Sequence, residues 1–273
     1  MSPPMSPPAT QNIDVPLSRL SFGETRRRDA WWLKTLVVFL GLSGFVVYST
    51  WAALQNAHYT FGPYLSPMYS PELWGTSPHA WFGLPPSWYP SWLPFSPALF
   101  ILWMPGGFRL TCYYYRGAYY KSHWASPPAC AVGKPQKRYR GEQKLPLIIQ
   151  NVHRYFLYLA LAFLVVLTID AYKGFFHWGA DHHFELHIGS LVLLLNVVLL
   201  GGYTFGCHSL RHLVGGGVDE MSRRPLALRM WQCATCFNRR HQAWAWASLI
   251  WVAWTDVYVR LCSMGALPDW RII

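Results

Sequence analysis

The chain has 273 residues, of which 52% are hydrophobic and only 13% are charged. Typical water-soluble domains contain about 25% charged residues, so this composition excludes an ordinary soluble globular protein. The formal net charge of +11 requires no nucleic-acid partner, because the Lys and Arg residues lie between long apolar runs, where they mark one side of a membrane.

Five long apolar runs dominate the sequence. Each is near the ~20 residues that a helix needs to cross the ~30 Å hydrocarbon core of a bilayer. The second run is interrupted by Pro105, Gly106 and Gly107, but we predict that it spans, because otherwise the basic loop after it would lie on the wrong side. The sequence therefore predicts an all-α integral membrane bundle over 31–262, with five transmembrane helices at about 31–54, 97–118, 149–172, 186–212 and 240–262.

The basic residues predict the orientation of this bundle. Five lie before or at the start of the first helix, seven over 116–144 from the end of helix two, and six over 211–240 from the end of helix four to the start of helix five, whereas the first outer loop, 55–96, has none. Such an excess marks the cytoplasmic side, so the N-terminus is predicted inside and the C-terminus outside. Residues 1–30 are predicted to form a disordered, basic cytoplasmic segment, and residues 263–273 an outer tail.

The outer loop 55–96 is dense in Trp, Tyr and Pro. We interpret it as an interfacial aromatic cap over the helix bundle, because amphipathic rings favour the headgroup level. The alternative is an outer quinone or heme pocket that uses His58 and Tyr59.

Four neighbouring helices each carry one metal-ligand side chain near the cytoplasmic end. At about 1.5 Å of rise per residue, Cys112, His153, Cys207 and His241 reach nearly the same depth on helices two to five. Two cysteines and two histidines at one level fit tetrahedral zinc, and they equally fit a Rieske-type [2Fe–2S] cluster. We favour the cluster, because zinc has no redox chemistry and structural zinc adds little to a bundle that lipid already holds together.

Heme b is the alternative redox centre. One heme would use His153 with His208 on the inner side, and another would use His58 with His187 on the outer side. Against it, His187 and His208 are 21 residues apart, or roughly 30 Å along a helix, which leaves a wide gap between two hemes. The two membrane cysteines would also then have no role.

Cys233 and Cys236 form a C-x-x-C pair five residues before the last proposed ligand. This is the best local metal motif in the chain. Nothing in the sequence brings it to the depth of the other four side chains, so we interpret the pair as loop thiols and keep a ligand role as the alternative.

A non-redox transporter or scaffold is an interpretation from another functional class. It predicts charged side chains at the middle of the membrane, along a transport path. The charged residues of the apolar runs lie nearer their ends instead: Arg109, Arg154, Asp170 and Asp256.

The chain resembles the membrane-anchor subunit of actinobacterial-type succinate dehydrogenases. The resemblance is carried by "HYTFGPYLSPMYSPELWG", "RLTCYYYRGAYYKSHWASPPACAV", "LIIQNVHRYF", "YTFGCHSLRHLVGG" and "NRRHQAWAWASLIWVAWTDVYVRL", and it covers most of 55–262. It implies a multi-pass subunit in the bacterial plasma membrane, with a membrane-embedded Rieske-type cluster in place of heme. Cys233 and Cys236 are not part of the family pattern.

The resemblance implies electron transfer within complex II. A flavoprotein subunit with FAD would oxidise succinate, and an iron–sulfur subunit docked on the basic cytoplasmic face would pass electrons to this anchor. The anchor, which has no dicarboxylate site and no catalytic residues of its own, would relay them to menaquinone or ubiquinone. Quinone reduction needs hydrogen-bond donors and a proton supply. The inner candidates for that role are Tyr113, Arg116, His208, Arg211 and His212.

Overall fold

The computed structural model describes residues 21–92, 94–135, 144–145, 147–176, 183–216 and 220–273. The predictions for residues 1–20, for part of the basic loop and for part of the second outer turn fall outside these ranges. Within the described residues, the chain is mostly helical. The regular strands described are β1 (Thr60–Phe61) and β2 (Tyr64–Leu65), a short antiparallel hairpin with Thr60 opposite Leu65.

Nine α-helices account for most of the part of the chain that the structure describes. A 3-10 helix, Leu147–Val152, leads into the fifth, and another, Met221–Arg223, precedes the eighth. In chain order the helices are α1 (Trp31–Gln55), α2 (Pro97–Ile101), α3 (Trp103–Thr111), α4 (Tyr113–Ser122), α5 (His153–Phe176), α6 (Ile188–Phe205), α7 (His208–Gly215), α8 (Pro225–Asn238) and α9 (His241–Ser263).

Three segments are long and apolar enough to cross a membrane among the described residues: Trp31–Gln55, Ile148–Phe176 and Ile188–Phe205. They correspond to the first, third and fourth predicted spans. Helix α9 has 23 residues, which at ~1.5 Å each is long enough to span. Its sequence is less apolar, because it carries Asp256, Arg260 and several tryptophans.

Two of the predicted spans are broken rather than continuous. The sequence predicts one helix over 97–118, but the structure divides this region into α2, α3 and α4, with the last break at Cys112. The predicted helix 186–212 is likewise divided into α6 and α7, with a break at Cys207. Apolar periodicity does not reveal such breaks, because in each case the helix resumes one or two residues later.

The inner half of the bundle is a closely packed core. Helix α6 packs against both α5 and α9, and α3 packs on α5. A side chain at Gly202 would place its Cβ 2.5 Å from the indole of Trp244, so glycine allows α6 and α9 to approach closely at this level. The core buries Phe108, Cys112, Tyr115, Leu157, Ala160, Tyr203, Cys207, Ala245 and Leu249.

The outer loop enters the bundle instead of only covering it. Every residue from 63 to 72 is buried. Tyr64 donates to Asp269 at 2.9 Å, and Tyr69 donates to the Ala52 carbonyl oxygen at 2.7 Å. These bonds tie the loop to the C-terminal segment and to the end of α1, so the outer end of the molecule is a polar, internally bonded layer.

Candidate metal centre

All four predicted ligands lie at helix starts. His153 is the first residue of α5 and His241 the first residue of α9. Cys112 and Cys207 are the residues that immediately precede α4 and α7. Each side chain therefore comes from the point where an α-helix begins, which the depth argument from the sequence did not predict.

The two cysteines have the same backbone conformation. Cys112 has φ −63° and ψ 132°, and Cys207 has φ −66° and ψ 137°. In each case the cysteine carbonyl oxygen accepts the first backbone hydrogen bond of the next helix. The donors are the backbone N–H groups of Arg116, at 2.8 Å, and of Arg211, at 3.2 Å. Both cysteines are thus N-caps, where the positive end of the helix dipole stabilises a negatively charged sulfur.

Crowding around Gly206 contributes to the second break. A Cβ at this position would lie 2.8 Å from the Gly202 carbonyl oxygen and 3.1 Å from that of Phe237. The Gly206 carbonyl oxygen in turn accepts a hydrogen bond from the Asn238 side chain at 2.8 Å. The end of α6 is therefore held directly against the end of α8, close to the start of α9.

The predicted ligands come together as two Cys–His pairs. The Nε2 atom of His153 lies 3.1 Å from the sulfur of Cys207, and Nε2 of His241 lies 3.5 Å from the sulfur of Cys112. Cys112, His153 and Cys207 are each at most 3% exposed. No group of three or more ligand side chains within metal-binding distance is found among the described residues, so the pairs are neighbours but not a closed tetrad.

The protonation state of His153 follows from its neighbours. The hydroxyl of Thr111 donates its one proton to the Gly107 carbonyl oxygen at 2.7 Å, and it lies 2.8 Å from Nδ1 of His153. The hydroxyl can therefore only accept from Nδ1, which must carry the imidazole proton. Nε2 is then the atom with the free lone pair, and it faces Cys207. This is the tautomer that a metal ligand requires.

The second pair is less completely bonded. His241 stacks on the ring of Tyr203, with centroids 5.0 Å apart, and its Nδ1 atom is buried without a hydrogen-bond partner in the described part of the chain. His153 stacks in the same way on Phe108 at 4.9 Å. Each histidine ring thus stacks on one aromatic ring, which restricts the orientation of the imidazole plane.

The residues present fit a metal centre in their chemistry. Two buried sulfurs lie at helix N-caps, one imidazole is in the ligand tautomer, and the other, whose Nε2 faces Cys112, has a buried Nδ1 with unused hydrogen-bonding capacity. Buried polar atoms are normally satisfied, and an exception points to a missing group. The donor set, two sulfurs and two imidazoles, is that of zinc or of a Rieske-type cluster.

The four histidines proposed for heme have other surroundings. His153 faces Cys207, and His208 is exposed, with its ring 4.3 Å from that of His212. On the outer side, His58 is exposed, whereas His187 lies 3.0 Å from the Glu185 carboxylate. The pairings proposed for two hemes therefore gain no support from these contacts.

The inner quinone candidates form a chain of ring contacts beside the centre. The guanidinium of Arg116 lies 4.8 Å from the Tyr113 ring, and Tyr113 is 6.1 Å from His208, which contacts His212. Arg211 is directed elsewhere, over the ring of Trp231 at 4.5 Å. The structure thus joins four of the five predicted residues through ring contacts, whereas the fifth, on the same helix as His208 and His212, directs its guanidinium to Trp231.

The predicted outer pocket is divided between exposed and buried side chains. His58 is exposed, whereas Tyr59 is buried, stacks on Tyr69 at 4.1 Å and donates to Glu72 at 3.0 Å. Burial, and next the negative charge of Glu72, raise the pKa of Tyr59 above its usual value. This hydroxyl is bonded within the protein, as expected for a residue that anchors the loop.

The remaining cysteines are not joined to the centre by any hydrogen bond in the described residues. Cys233 and Cys236 are exposed on α8, and Cys130 is exposed in the loop after α4. Cys262 is buried at the outer end of α9. All six cysteines are free thiols.

Sequence reasoning missed the side chains that surround the ligands. They are Thr111, which orients His153, and the rings of Phe108 and Tyr203, which clamp the two histidines. Thr111 directly precedes Cys112 in the sequence, but only the helix break turns both toward the centre. A hydroxyl residue beside a proposed ligand was the one available signal.

An apolar cavity lies next to these side chains. It has a volume of about 150 Å³ and extends between α1, α3, α5, α6 and α9. Phe108, Arg109 and Tyr203 form the wall nearest the Cys–His pairs, and Leu164 and Leu200 belong to the apolar remainder. The cavity thus joins the surroundings of the centre to the apolar interior of the bundle.

Comparisons with known proteins identify the family. A family model described as actinobacterial succinate dehydrogenase subunit SdhC matches residues 33–265. The chain belongs to this family. It is also similar to a solved chain of the Mycobacterium smegmatis Sdh1 complex in the apo form, with 40% identity, a TM-score of 0.82, and coverage of 91% of this chain and 94% of that chain. No curated protein matches the chain.

The family membership confirms several predictions made from the sequence. This chain is a membrane-anchor subunit of a succinate dehydrogenase, and it is a multi-pass protein of the bacterial plasma membrane. Its enzymatic role is that of a subunit of the enzyme complex.

Proposed function

We propose that this SdhC-family chain relays electrons from an iron–sulfur subunit to quinone through a [2Fe–2S] centre held by Cys112, His153, Cys207 and His241. The single observation that carries the proposal is the meeting of two Cys–His pairs, one of 3.1 Å and one of 3.5 Å, in a buried core. A structural role alone does not explain why the two cysteines and two histidines should lie at four separate helix starts.

The proposed topology has five membrane spans, with the N-terminus inside. Three spans have the length and hydropathy for this role on their own. Helix α9 is added because it packs along α6, which covers part of its polar surface. The broken region α2–α4 is added because irregular backbone is tolerated at membrane depth where protein covers it. The distribution of basic residues then places the Cys–His pairs near the cytoplasmic surface.

The donor set favours a redox centre of intermediate potential. When bound, a Rieske-type cluster supplies one-electron transfer, at a potential higher than that of an all-cysteine cluster. The protein contributes the two thiolates at helix N-caps, the oriented imidazole of His153 and a buried site that excludes water. These features hold the ligands in place before the metal binds, which lowers the reorganisation required.

A single tetrahedral metal ion is the second candidate, and the spacing within each Cys–His pair is compatible with it. With bond lengths of ~2.3 Å to sulfur and ~2.1 Å to nitrogen, two ligands on one metal lie about 3.6 Å apart. The observed sulfur–nitrogen distances are 3.1 and 3.5 Å. A structural zinc site would occupy the same side chains but carry no electrons.

The proposed partners are a flavoprotein subunit with FAD and an iron–sulfur subunit. The similar Mycobacterium smegmatis chain belongs to a complex, which supports the assignment of partners to this chain. The basic residues of the loops on the proposed cytoplasmic side suit a partner with an acidic docking surface. Succinate would be oxidised in the partner subunit, because this chain contributes no dicarboxylate site to the proposal.

The proposed quinone site is next to the centre. One location is the apolar cavity of about 150 Å³, whose wall nearest the centre includes Phe108 and Tyr203. The inner group of Tyr113, Arg116, His208 and His212 remains the site proposed from the sequence, and its histidines suit proton delivery to a reduced quinone.

Metal analysis and spectroscopy of the purified complex test this proposal. We expect two iron atoms and two acid-labile sulfides beyond those of the iron–sulfur subunit, and an EPR signal of low average g after dithionite reduction. One zinc ion with no sulfide beyond that of the iron–sulfur subunit would favour the single-metal site, and a split b-type α-band would favour heme. His153→Ala and His241→Ala should each remove the EPR signal and quinone reduction, while succinate oxidation by an artificial acceptor persists.

The matched control is His58→Ala. His58 lies in the loop 55–96, just after α1 and away from the proposed ligands. This exposed histidine belongs to the heme alternative but not to the proposed centre, so the EPR signal should survive. Loss of the signal in His58→Ala, or its retention in His153→Ala, would contradict the ligand assignment.

A further inference from the structure

Arg109 is held between α3 and α9 by neutral groups. Its Nη1 atom donates to the Tyr115 hydroxyl at 2.5 Å and to the Ala245 carbonyl oxygen at 3.3 Å, and its Nη2 atom donates to Ser248 at 3.0 Å. Ala245 is one helical turn after His241. The guanidinium therefore lies beside the proposed centre, on the side that faces the membrane interior.

No carboxylate forms an ion pair with Arg109 in the part of the chain that the structure describes. The ion pairs found there use Asp29, Asp170, Glu185, Glu220, Asp256 and Asp269, and Glu24 and Glu72 accept hydrogen bonds from Ser21 and Tyr59. A cation at membrane depth is costly and normally has a partner. Its charge is therefore available to stabilise a negative charge elsewhere in the same core.

The ring of Tyr203 lies between Arg109 and the centre. The guanidinium is 4.7 Å from the Tyr203 centroid, and the same ring stacks on His241 at 5.0 Å. Cys112, which faces His241, is buried in the same cluster as Tyr203. A thiolate at Cys112, which forms when the cysteine binds a metal, thus lies in the cluster that contains the Tyr203 ring beneath Arg109.

We propose that Arg109 is a positioning residue that raises the reduction potential of the centre through its fixed positive charge. The inference rests on the proposed function. One electron from a one-electron iron–sulfur donor adds one negative charge to the site, and no bond is made or broken. A nearby cation that cannot lose its proton stabilises the reduced state over the oxidised state.

The size of the effect follows from Coulomb's law. At an effective dielectric constant near 20, a unit charge about 10 Å away changes an equilibrium by about tenfold. For a one-electron couple, a tenfold change in the equilibrium constant equals about 59 mV. Arg109→Gln, which keeps hydrogen-bond donors but removes the charge, should therefore lower the midpoint potential by about this amount. EPR-monitored redox titration of the intact complex measures the shift.

Three further variants separate charge from structure. Arg109→Lys keeps the charge and should keep the potential near that of the wild type. Ser248→Ala removes one partner of Arg109 without changing the charge, so the potential should not move. Ser248→Asp places a carboxylate beside the guanidinium and should lower the potential in the same direction as Arg109→Gln, even where Arg109→Gln fails to assemble.

The outcomes distinguish this inference from the proposed function. A wild-type complex without a mixed Cys/His cluster signal overturns the proposed function itself. A normal wild-type signal whose potential is unchanged in both Arg109→Gln and Ser248→Asp overturns only the inference. A change in the KM for quinone with no change in potential assigns Arg109 to quinone binding and likewise overturns it.

Discussion

Two arginines on the bundle helices differ in how their charge is balanced. Near the outer end, Arg260 pairs with Asp256 at 2.7 Å and donates to the Ala57 and Ala52 carbonyl oxygens at 2.8 and 2.9 Å. Asp256 is 0% exposed and also accepts from Tyr48 at 2.5 Å. At the other end, Arg109 has neutral partners and faces a group of cysteines and histidines.

This difference distinguishes polar groups that hold the fold together from polar groups that can bind a ligand. The outer network is internally satisfied, so its charges hold the end of α1 against α9 and have no capacity left for a ligand. The inner region leaves unused capacity: a guanidinium without a carboxylate among the described residues, a buried nitrogen on His241 and two thiols at helix N-caps. In a membrane protein, unused capacity of this kind marks the functional site.

The largest effect is expected from breaking the outer pair. Asp256→Ala leaves Arg260 buried without its counter-charge, and removing one partner of such a pair destabilises by about 3–5 kcal/mol. Thermal unfolding of the complex in detergent measures the loss. The double variant Asp256→Ala with Arg260→Met should be less destabilised than Asp256→Ala alone, because no buried charge remains.

Lys173 and Asp170 provide the matched control for that experiment. Their nitrogen–oxygen distance is 3.7 Å, and Lys173 is 34% exposed. The Asp170 side chain is only 8% exposed, but it keeps its hydrogen bond from Ser70 when Lys173 is replaced. Because the ion pair itself is long and partly exposed to solvent, it contributes about 0–1 kcal/mol, so Lys173→Gln should lower the unfolding temperature less than Asp256→Ala. Equal losses in Asp256→Ala and Lys173→Gln would contradict the distinction between the two kinds of pair.

An intermediate effect is expected where the inner region holds its ligands. Thr111→Val keeps the side-chain shape but removes the oxygen that accepts from Nδ1 of His153. Loss of such a supporting bond typically weakens a metal site by about 10–100-fold. The rate at which a chelator removes the centre, followed by EPR, measures the change.

Thr168→Val is the control for the loss of a threonine hydroxyl. Thr168 donates to the Leu164 carbonyl oxygen at 2.7 Å, as Thr111 does to Gly107, but it contacts no proposed ligand. Its chelation rate should match that of the wild type. If Thr168→Val and Thr111→Val lose the centre equally fast, the hydroxyl of Thr111 does not orient His153.

The smallest effect is expected from an ion pair at the outer surface. A hydrogen bond from His187 lowers the pKa of Glu185 below its ordinary value of 4.5. A carboxyl whose pKa is lowered by folding stabilises the protein at pH values above its ordinary pKa. This contribution disappears as the pH falls through the pKa of the folded state. Glu185→Gln should therefore unfold at a lower temperature than the wild type at pH 7, and the two should converge in acid.

Glu220→Gln is the comparison for this pH dependence. Glu220 pairs with Arg223 at 2.8 Å, but the two side chains are 58% and 83% exposed. Because solvent screens this pair, its removal should leave the unfolding temperature nearly unchanged across the same pH range. If Glu220→Gln lowers the unfolding temperature as much as Glu185→Gln does, the hydrogen bond from His187 is not the cause of the pH dependence.

Much of the fold was predictable from the sequence. Long apolar runs with basic flanks indicated membrane helices, and family membership confirms the membrane-anchor prediction. The breaks at Cys112 and Cys207 were not predictable, because a single extended residue leaves the apolar pattern on both sides intact. The burial of 63–72 was also not predicted, since aromatic and proline-rich loops occur equally often at a membrane surface.

For the proposed site, the sequence by itself predicted four candidate ligands at a common depth, because helical rise converts residue number into height. The tertiary structure decided the rest. It paired His153 with Cys207 and His241 with Cys112, brought Thr111 to one imidazole and Tyr203 to the other, and set Arg109 beside them. Rotation about each helix axis and contact between helices are set by packing among distant segments, which depth along the chain does not encode.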